Sequence, residues 1–413
     1  MPTKILMIAY HFPPLLGSSG ILRTLKFCRY LPENGWLPVV LTTHPRAYPK
    51  SSAGQLAEIP NEVIISRAFA LDSTKHLSVR GKYPEWLALP DRWSSWWLGA
   101  LWTGWRLIKK HRPAVIWSTY PIATAHLIGL TLHRLSGIPW VADFRDPMYD
   151  DSIVKSPLNF KITAWIEKKT IQYCSKAVFT TRGTLDLYAQ RYPHEPHSKW
   201  HVIENGFDEE NFIKAERNQH LSRTSSKTTL LHSGILYSAH RDPSHFFLAL
   251  AELKKDKEIT ANNFTVILRA SGEEDLYTQK IVQAGLTDIV QLAPVVDYQQ
   301  AIGEMLQTDA LLVFQDASCN HQIPAKLYEY LRAKRPILAL TDKNSDTAKL
   351  LHEAGLNYIS PIDDVAAIKA MLLDFLHAHK QRRAAIPYEE VVAQHSRKSK
   401  THSLATLLNS VKL

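Results

Sequence analysis

The segment KILMIAYHFPPLLGSSGILRTLKFCRYL, residues 4–31, reads as a strand, a turn and a helix in immediate succession. Lys4–Tyr10 is a short apolar run of strand length, and Ile21–Leu31 spaces its apolar residues as a helix does. Between them Pro13-Pro14-Leu15-Leu16-Gly17-Ser18-Ser19-Gly20 breaks both patterns. Glycines allow close backbone approach, and the N–H groups of a helix start attract anions, so this turn is an anion site in principle. A bland connecting turn uses the same residues, and both readings stay open at this point. The dinucleotide fingerprint Gly-x-Gly-x-x-Gly is absent, as is the Walker pattern ending in Gly-Lys-Ser/Thr.

The same alternation extends outward from this unit. Leu37–Thr43, Val63–Phe69, Ala114–Ser118, Trp140–Phe144, Ala177–Thr181 and Trp200–Ile203 read as strands, with helical patterns at Ala123–Leu135, Leu158–Tyr173 and Thr184–Arg191. After Gly206 it restarts: strands at Thr229–His232, Thr265–Arg269, Ile289–Leu292, Ala310–Phe314 and Pro336–Leu340 frame four helices. Those helices are Asp242–Lys254, Glu274–Ala284, Tyr298–Leu306 and Ala325–Ala333. Strand–helix alternation builds a parallel sheet covered on both faces. Asp208–Lys227 is polar and aperiodic, and is read as the linker between halves. The expectation is an α/β chain of two Rossmann-like domains facing a cleft, residues 1–205 and 206–385, with a C-terminal helix in 386–413.

A length of 413 residues exceeds one compact core, which agrees with two domains. With 45% hydrophobic and 21% charged residues, the chain is neither disordered nor fibrous. Apolar runs stop near ten residues, short of the roughly 20 a bilayer span needs, and the N-terminus lacks a signal-peptide pattern. Three scattered cysteines form neither a disulfide framework nor a zinc spacing, so a reducing cytoplasm is expected. The charge of +10 is spread along the chain without the long basic, aromatic-laced stripes of a nucleic-acid binder. One segment concentrates tryptophan: Trp86, Trp93, Trp96, Trp97, Trp102 and Trp105 precede the cluster Lys109-Lys110-His111-Arg112. The leading reading is a helix packed on the sheet before the strand at Val115; the alternative is a peripheral membrane contact.

Chemistry-bearing residues gather at strand ends, where open α/β sheets bind ligands. Trp140–Phe144 runs into Asp143-Phe144-Arg145-Asp146-Pro147, either a site or an ion pair fixing the loop. Ser233-Gly234 closes the first strand of the second half, and Arg241 stands near the next helix start. A cation there favours an anionic ligand beside it, although a surface arginine is the plainer reading. In His321–Leu331, Pro324 suits the first turn of a helix and Glu329 lies about one and a half turns in. A carboxylate there can accept hydrogen bonds from both hydroxyls of a ribose; a solvated helix glutamate is the commoner fate.

Together, Pro13-Pro14 through Arg23, Trp140 through Pro147, Val202 through Asp208, Ser233-Gly234 with Arg241, and Ile323 through Leu340 resemble the retaining glycosyltransferases of family 4. The resemblance implies the GT-B fold, with an acceptor-side first domain, a nucleotide-sugar-binding second domain and a last helix crossing back to the first. It implies sugar transfer from a nucleotide-sugar to a glycan or lipid-linked acceptor with retention, and no cofactor beyond that co-substrate. It places Gly17, Gly234, Arg241, Gly272, Ile323, Pro324, Lys326 and Glu329 on the donor. Asp143, Arg145 and Asp146 fall at the reacting sugar or acceptor. The family's Glu-x7-Glu is broken, because His321 stands eight positions before Glu329. The first basic residue of its diphosphate pair falls at Ile235, so Lys326 is the candidate replacement. No Asp-x-Asp occurs, and a metal is not expected. A nucleotide-sugar epimerase or hydrolase, or a non-catalytic nucleotide-sugar-binding protein, remain the competing classes.

Overall fold

Alternate residues of the first strand serve different cores. Leu6 and Ile8 join one apolar cluster and Ile5 and Met7 another, and all four are fully buried. Such a strand belongs in the middle layer of a helix–sheet–helix arrangement. The computed structural model describes residues 2–16, 20–80, 82–149, 156–218 and 227–412. They form two compact units, Met1–Asn205 with Arg397–Leu413, and Gly206–Ser396.

In the first unit, β1 (Thr3–Ile8), β2 (Trp36–Thr43), β3 (Ile64–Ala68), β4 (Val115–Thr119), β5 (Trp140–Arg145), β6 (Lys176–Phe179) and β7 (Trp200–Val202) form one sheet. Its order is β3-β2-β1-β4-β5-β6-β7, and every pairing is parallel. The second unit repeats the plan with β8 (Thr228–Ser233), β9 (Phe264–Arg269), β10 (Val290–Ala293), β11 (Ala310–Phe314), β12 (Ile337–Leu340) and β13 (Ile359–Ser360). The order there is β10-β9-β8-β11-β12-β13, again parallel throughout. The strand order reverses between β1 and β4 and between β8 and β11, and the crevice beyond such a reversal is where open α/β sheets take ligands.

The last helix, Arg397–Val411, packs on the Gly20–Tyr30 helix, where Leu404 and Leu408 join Phe27 and Cys28 in one buried cluster. The second unit runs on to Ser396 and keeps the short helix Glu389–Gln394, so the boundary lies eleven residues beyond 385.

Two expectations are corrected. Much of the supposed linker is a helix, Glu209–Asn218, with Phe212 and Ala215 buried in the second unit's core. Arg332 clamps it: Nε donates to Glu209 Oε2 at 2.7 Å and Nη1 to Glu216 Oε1 at 3.0 Å. Residues 219–226 of the linker lie outside the described residues. The tryptophan segment divides in two. Trp96 is fully buried at the start of the helix Trp96–His111, Trp93 donates to Ala47 O at 2.9 Å, and Trp97 donates to Thr131 Oγ1 at 3.1 Å. Trp86 and Trp102 are instead 67% and 70% exposed. No described helix is long and apolar enough to cross a membrane.

Candidate active site

Each unit carries candidate side chains just past the strands of its own switch point. In the first unit, β5 ends in a bulge: its register against β6 shifts between Asp143 and Arg145, and Arg145 adopts a φ of 61°. A non-glycine residue held in that left-handed region costs about 1–3 kcal/mol, and such strain concentrates at functional sites. Thr180 fixes the strained peptide, its hydroxyl donating to Arg145 O at 2.6 Å.

The consequence is that neighbouring charges separate. Asp143 is fully buried and accepts Arg23 Nε and Nη2, both at 2.9 Å, with Thr119 Oγ1 at 2.9 Å. Arg23 also donates from Nη2 to Ile203 O at 2.9 Å and from Nη1 to Glu204 O at 3.0 Å. Of the two alternatives for this segment, an ion pair does form, but it joins Asp143 to Arg23, one turn into the first helix, rather than to Arg145. Asp146 is exposed. Arg145 is left 9% exposed, with one long contact from Nη1 to Tyr120 O at 3.4 Å and its buried Nε without a hydrogen-bond partner. Its guanidinium lies at the start of the Gly20–Tyr30 helix. A Cβ on Gly20 would stand 2.5 Å from Arg145 Nη1 and 2.6 Å from His11 Nδ1. Burial, and then Arg145, hold His11 down to a pKa of about 4, so at neutral pH it is an uncharged hydrogen-bonding group. His11 escaped the sequence reading, and its position directly after the first strand was the available signal. Gly17 lies outside the described residues.

In the second unit the candidate residues Gly234 and Arg241 follow directly after β8. Gly234 has a φ of 137°, which a side chain would oppose, and it turns the chain toward Ile235, whose carbonyl accepts Arg241 Nη1 at 3.4 Å. Gly272, with a φ of 66°, faces Ile235 across the loop. Burial holds His232, on β8, down to a pKa of about 4, and both Arg241 and Lys326 add to the depression. Tyr330, raised by burial, responds to Glu329 and Arg241 as well. Lys326 and Glu329 are ion-paired at 3.0 Å, and Arg241 acts electrostatically on His232 and Tyr330 as well.

Pro324 caps the helix Ala325–Ala333. That helix has no side-chain hydrogen bond at its N-terminus. The preceding loop is pinned by Gln315, whose Nε2 donates to Cys319 O and Gln322 O at 2.7 and 2.9 Å. Ile323 packs against the unit's core. Glu329 is 7% exposed, and its Oε1 accepts Tyr298 OH at 2.7 Å. Lys326 Nζ lies 3.0 Å from Oε2, yet that buried oxygen lacks a partner of hydrogen-bonding geometry.

Among the described residues one trio has metal-ligating atoms within 4.8 Å of one another: His240, Asp316 and Cys319. The Ser318 hydroxyl already bridges two of them, lying 3.1 Å from His240 Nδ1 and donating to Asp316 Oδ1 at 2.5 Å.

Two comparisons bear on the fold that carries this arrangement. Residues 21–206 match the model of the glycosyl transferase 4-like domain. Across nearly its whole length it is similar to sucrose-phosphate synthase from Thermosynechococcus elongatus, at a TM-score of 0.69 and 12% identity, covering 99% of this chain and 98% of that one. Trehalose-phosphate synthase from Burkholderia multivorans gives 0.65 and 10%, covering 99% and 98%. WaaG, a glycosyltransferase involved in lipopolysaccharide biosynthesis, gives 0.60 and 12%, covering 98% of each chain. The fold is GT-B. Sequence comparison with curated proteins finds no match.

Proposed function

We propose that the chain transfers a sugar from a nucleotide-sugar to a glycan or lipid-linked acceptor, with retention of configuration and without a metal. The observation that carries this reading is Glu329: a buried carboxylate with one oxygen accepting Tyr298 OH and the other ion-paired with Lys326 but without a hydrogen bond of good geometry. A ribose supplies the two hydroxyl donors such a carboxylate accepts, and Lys326 and Arg241 offset the charge on the departing diphosphate. In the first unit, Arg145 and neutral His11 offer hydrogen-bonding groups suited to a sugar hydroxyl. In a retaining displacement the departing diphosphate itself takes the acceptor proton, so these groups orient substrate and stabilise charge.

The test is calorimetric titration with nucleoside diphosphates, then turnover with the sugar donor that binds, all with a strong chelator present. Glu329→Ala and Arg241→Ala should each weaken diphosphate binding by about tenfold to a hundredfold, the scale of a lost charged hydrogen bond. Affinity unchanged in both variants would remove the donor assignment. Turnover abolished by chelator and restored by magnesium or manganese would remove metal independence. A sugar isomer formed without acceptor would favour an epimerase.

A further inference from the structure

The helix Trp96–His111 buries Trp96, Ala100, Gly104, Leu107 and Ile108 and turns an unusual face outward. With about 3.6 residues per turn, Leu98, Trp102, Trp105 and Lys109 fall on one stripe opposite the buried one. Leu98 is 67% exposed and Trp102 70%. Further along, the stripe becomes cationic: Arg106, Lys109 and Lys110 are exposed, and Lys109 Nζ sits 4.6 Å from the Trp105 ring centroid. This end of the helix and the sheet's edge strand β3 wall a groove of about 750 Å³. Arg106, Lys109, Lys110 and His111 line it, with no carboxylate among the lining residues. Burial, then Lys110 and Lys4, hold the His111 ring below its ordinary value, as expected where positive charge is uncompensated.

We propose that this face docks the protein on an anionic lipid bilayer. Leu98 and Trp102 enter the interfacial layer, while Arg106, Lys109 and Lys110 meet lipid phosphates. A bilayer surface is the partner that matches both ends of the stripe, because its interface takes tryptophan and its headgroups take cations. An acidic peptide in the groove would leave Leu98 and Trp102 in water. A second copy docked about a two-fold axis would either face the cations of one copy on those of the other or set Lys109 and Lys110 against the apolar Leu98 and Trp102. The proposal concerns where the protein works and stands whatever sugar it transfers.

The experiment is sedimentation of the full chain with vesicles of phosphatidylcholine alone or mixed with phosphatidylglycerol. Binding to the anionic vesicles should be at least about tenfold tighter and should fall as salt rises. The pair Leu98→Ser with Trp102→Ser, and separately the pair Lys109→Glu with Lys110→Glu, should each weaken it about tenfold or more. Leu248→Ser, at a position 51% exposed in the other unit, should leave binding unchanged. Circular dichroism checks that every variant is folded. Equal affinity for both vesicle types, or affinity that neither pair moves, would overturn the proposal. So would self-association in solution that the Leu98 and Trp102 changes abolish.

Discussion

Arg145 and Asp143 show how two residues apart in sequence acquire unlike tasks. A strand alternates its side chains, and the bulge then rotates Arg145 into a left-handed conformation, so its guanidinium reaches the helix start at Gly20 while Asp143 stays under the sheet edge. Asp143 has no exposed surface, and both its oxygens are taken by Arg23 and Thr119. Breaking a buried pair leaves the surviving charge uncompensated and costs about 3–5 kcal/mol. Asp143→Ala should therefore lower the first unit's melting temperature by roughly 6–20 °C, measured by circular dichroism. Asp143→Asn keeps the shape and should lower it less, with turnover falling only as far as Arg23 and the adjoining loop shift. If Asp143→Asn instead melts normally but loses at least about tenfold in turnover, the carboxylate acts on the substrate directly.

At the level of elements, most strands and helices follow from local pattern, because each strand is a short apolar run between turn residues. What local pattern left out depends on partners far along the chain. The helix Glu209–Asn218 looks aperiodic until Arg332 supplies the counter-charges for Glu209 and Glu216, and the pairing of Arg23 with Asp143 spans 120 residues. The two-residue strand β13 has no run of its own and exists only by pairing with β12. The resemblance singled out Gly234, Arg241, Lys326 and Glu329 as candidates, whereas the anchoring of Glu329 by Tyr298 and its ion pair with Lys326 are matters of geometry. The tryptophan helix adds a constraint that sequence hides. Gly99 lets it approach the chain at Phe69, since a Cβ there would stand 2.4 Å from Phe69 O. Backbone cannot rotate aside as a side chain can, so Gly99→Ala should lower stability by about 1–3 kcal/mol in urea unfolding. A neutral result would mean that the helix is free to shift on the sheet.

Across the whole molecule, both units keep neutral histidines beneath their sites. Burial drives His126 down to about 3 against the opposing pull of Asp143, and drives His232 down to about 4 with Arg241 and Lys326 assisting. His11 reaches about 4, mainly by burial. An unfolded histidine titrates near 6.5, so between roughly pH 4 and 6.5 the unfolded chain binds more protons than the native one. The sign follows: this stability is fully present above about pH 6.5 and is lost as pH falls toward the native values. Each such histidine removes up to about 1.4 kcal/mol per pH unit. Ordinary carboxylates titrate mostly below this range, so the interval from pH 6.5 to 5.5 isolates the histidines. Urea midpoints should fall between those two pH values for both units. His126→Gln, an uncharged side chain at a position hydrogen-bonded to Ser118 Oγ at 2.8 Å, should flatten the decline for the first unit while leaving the second unchanged. A decline of equal steepness in that variant would show that His126 is already solvated, or that other groups set the acid limit of the first unit.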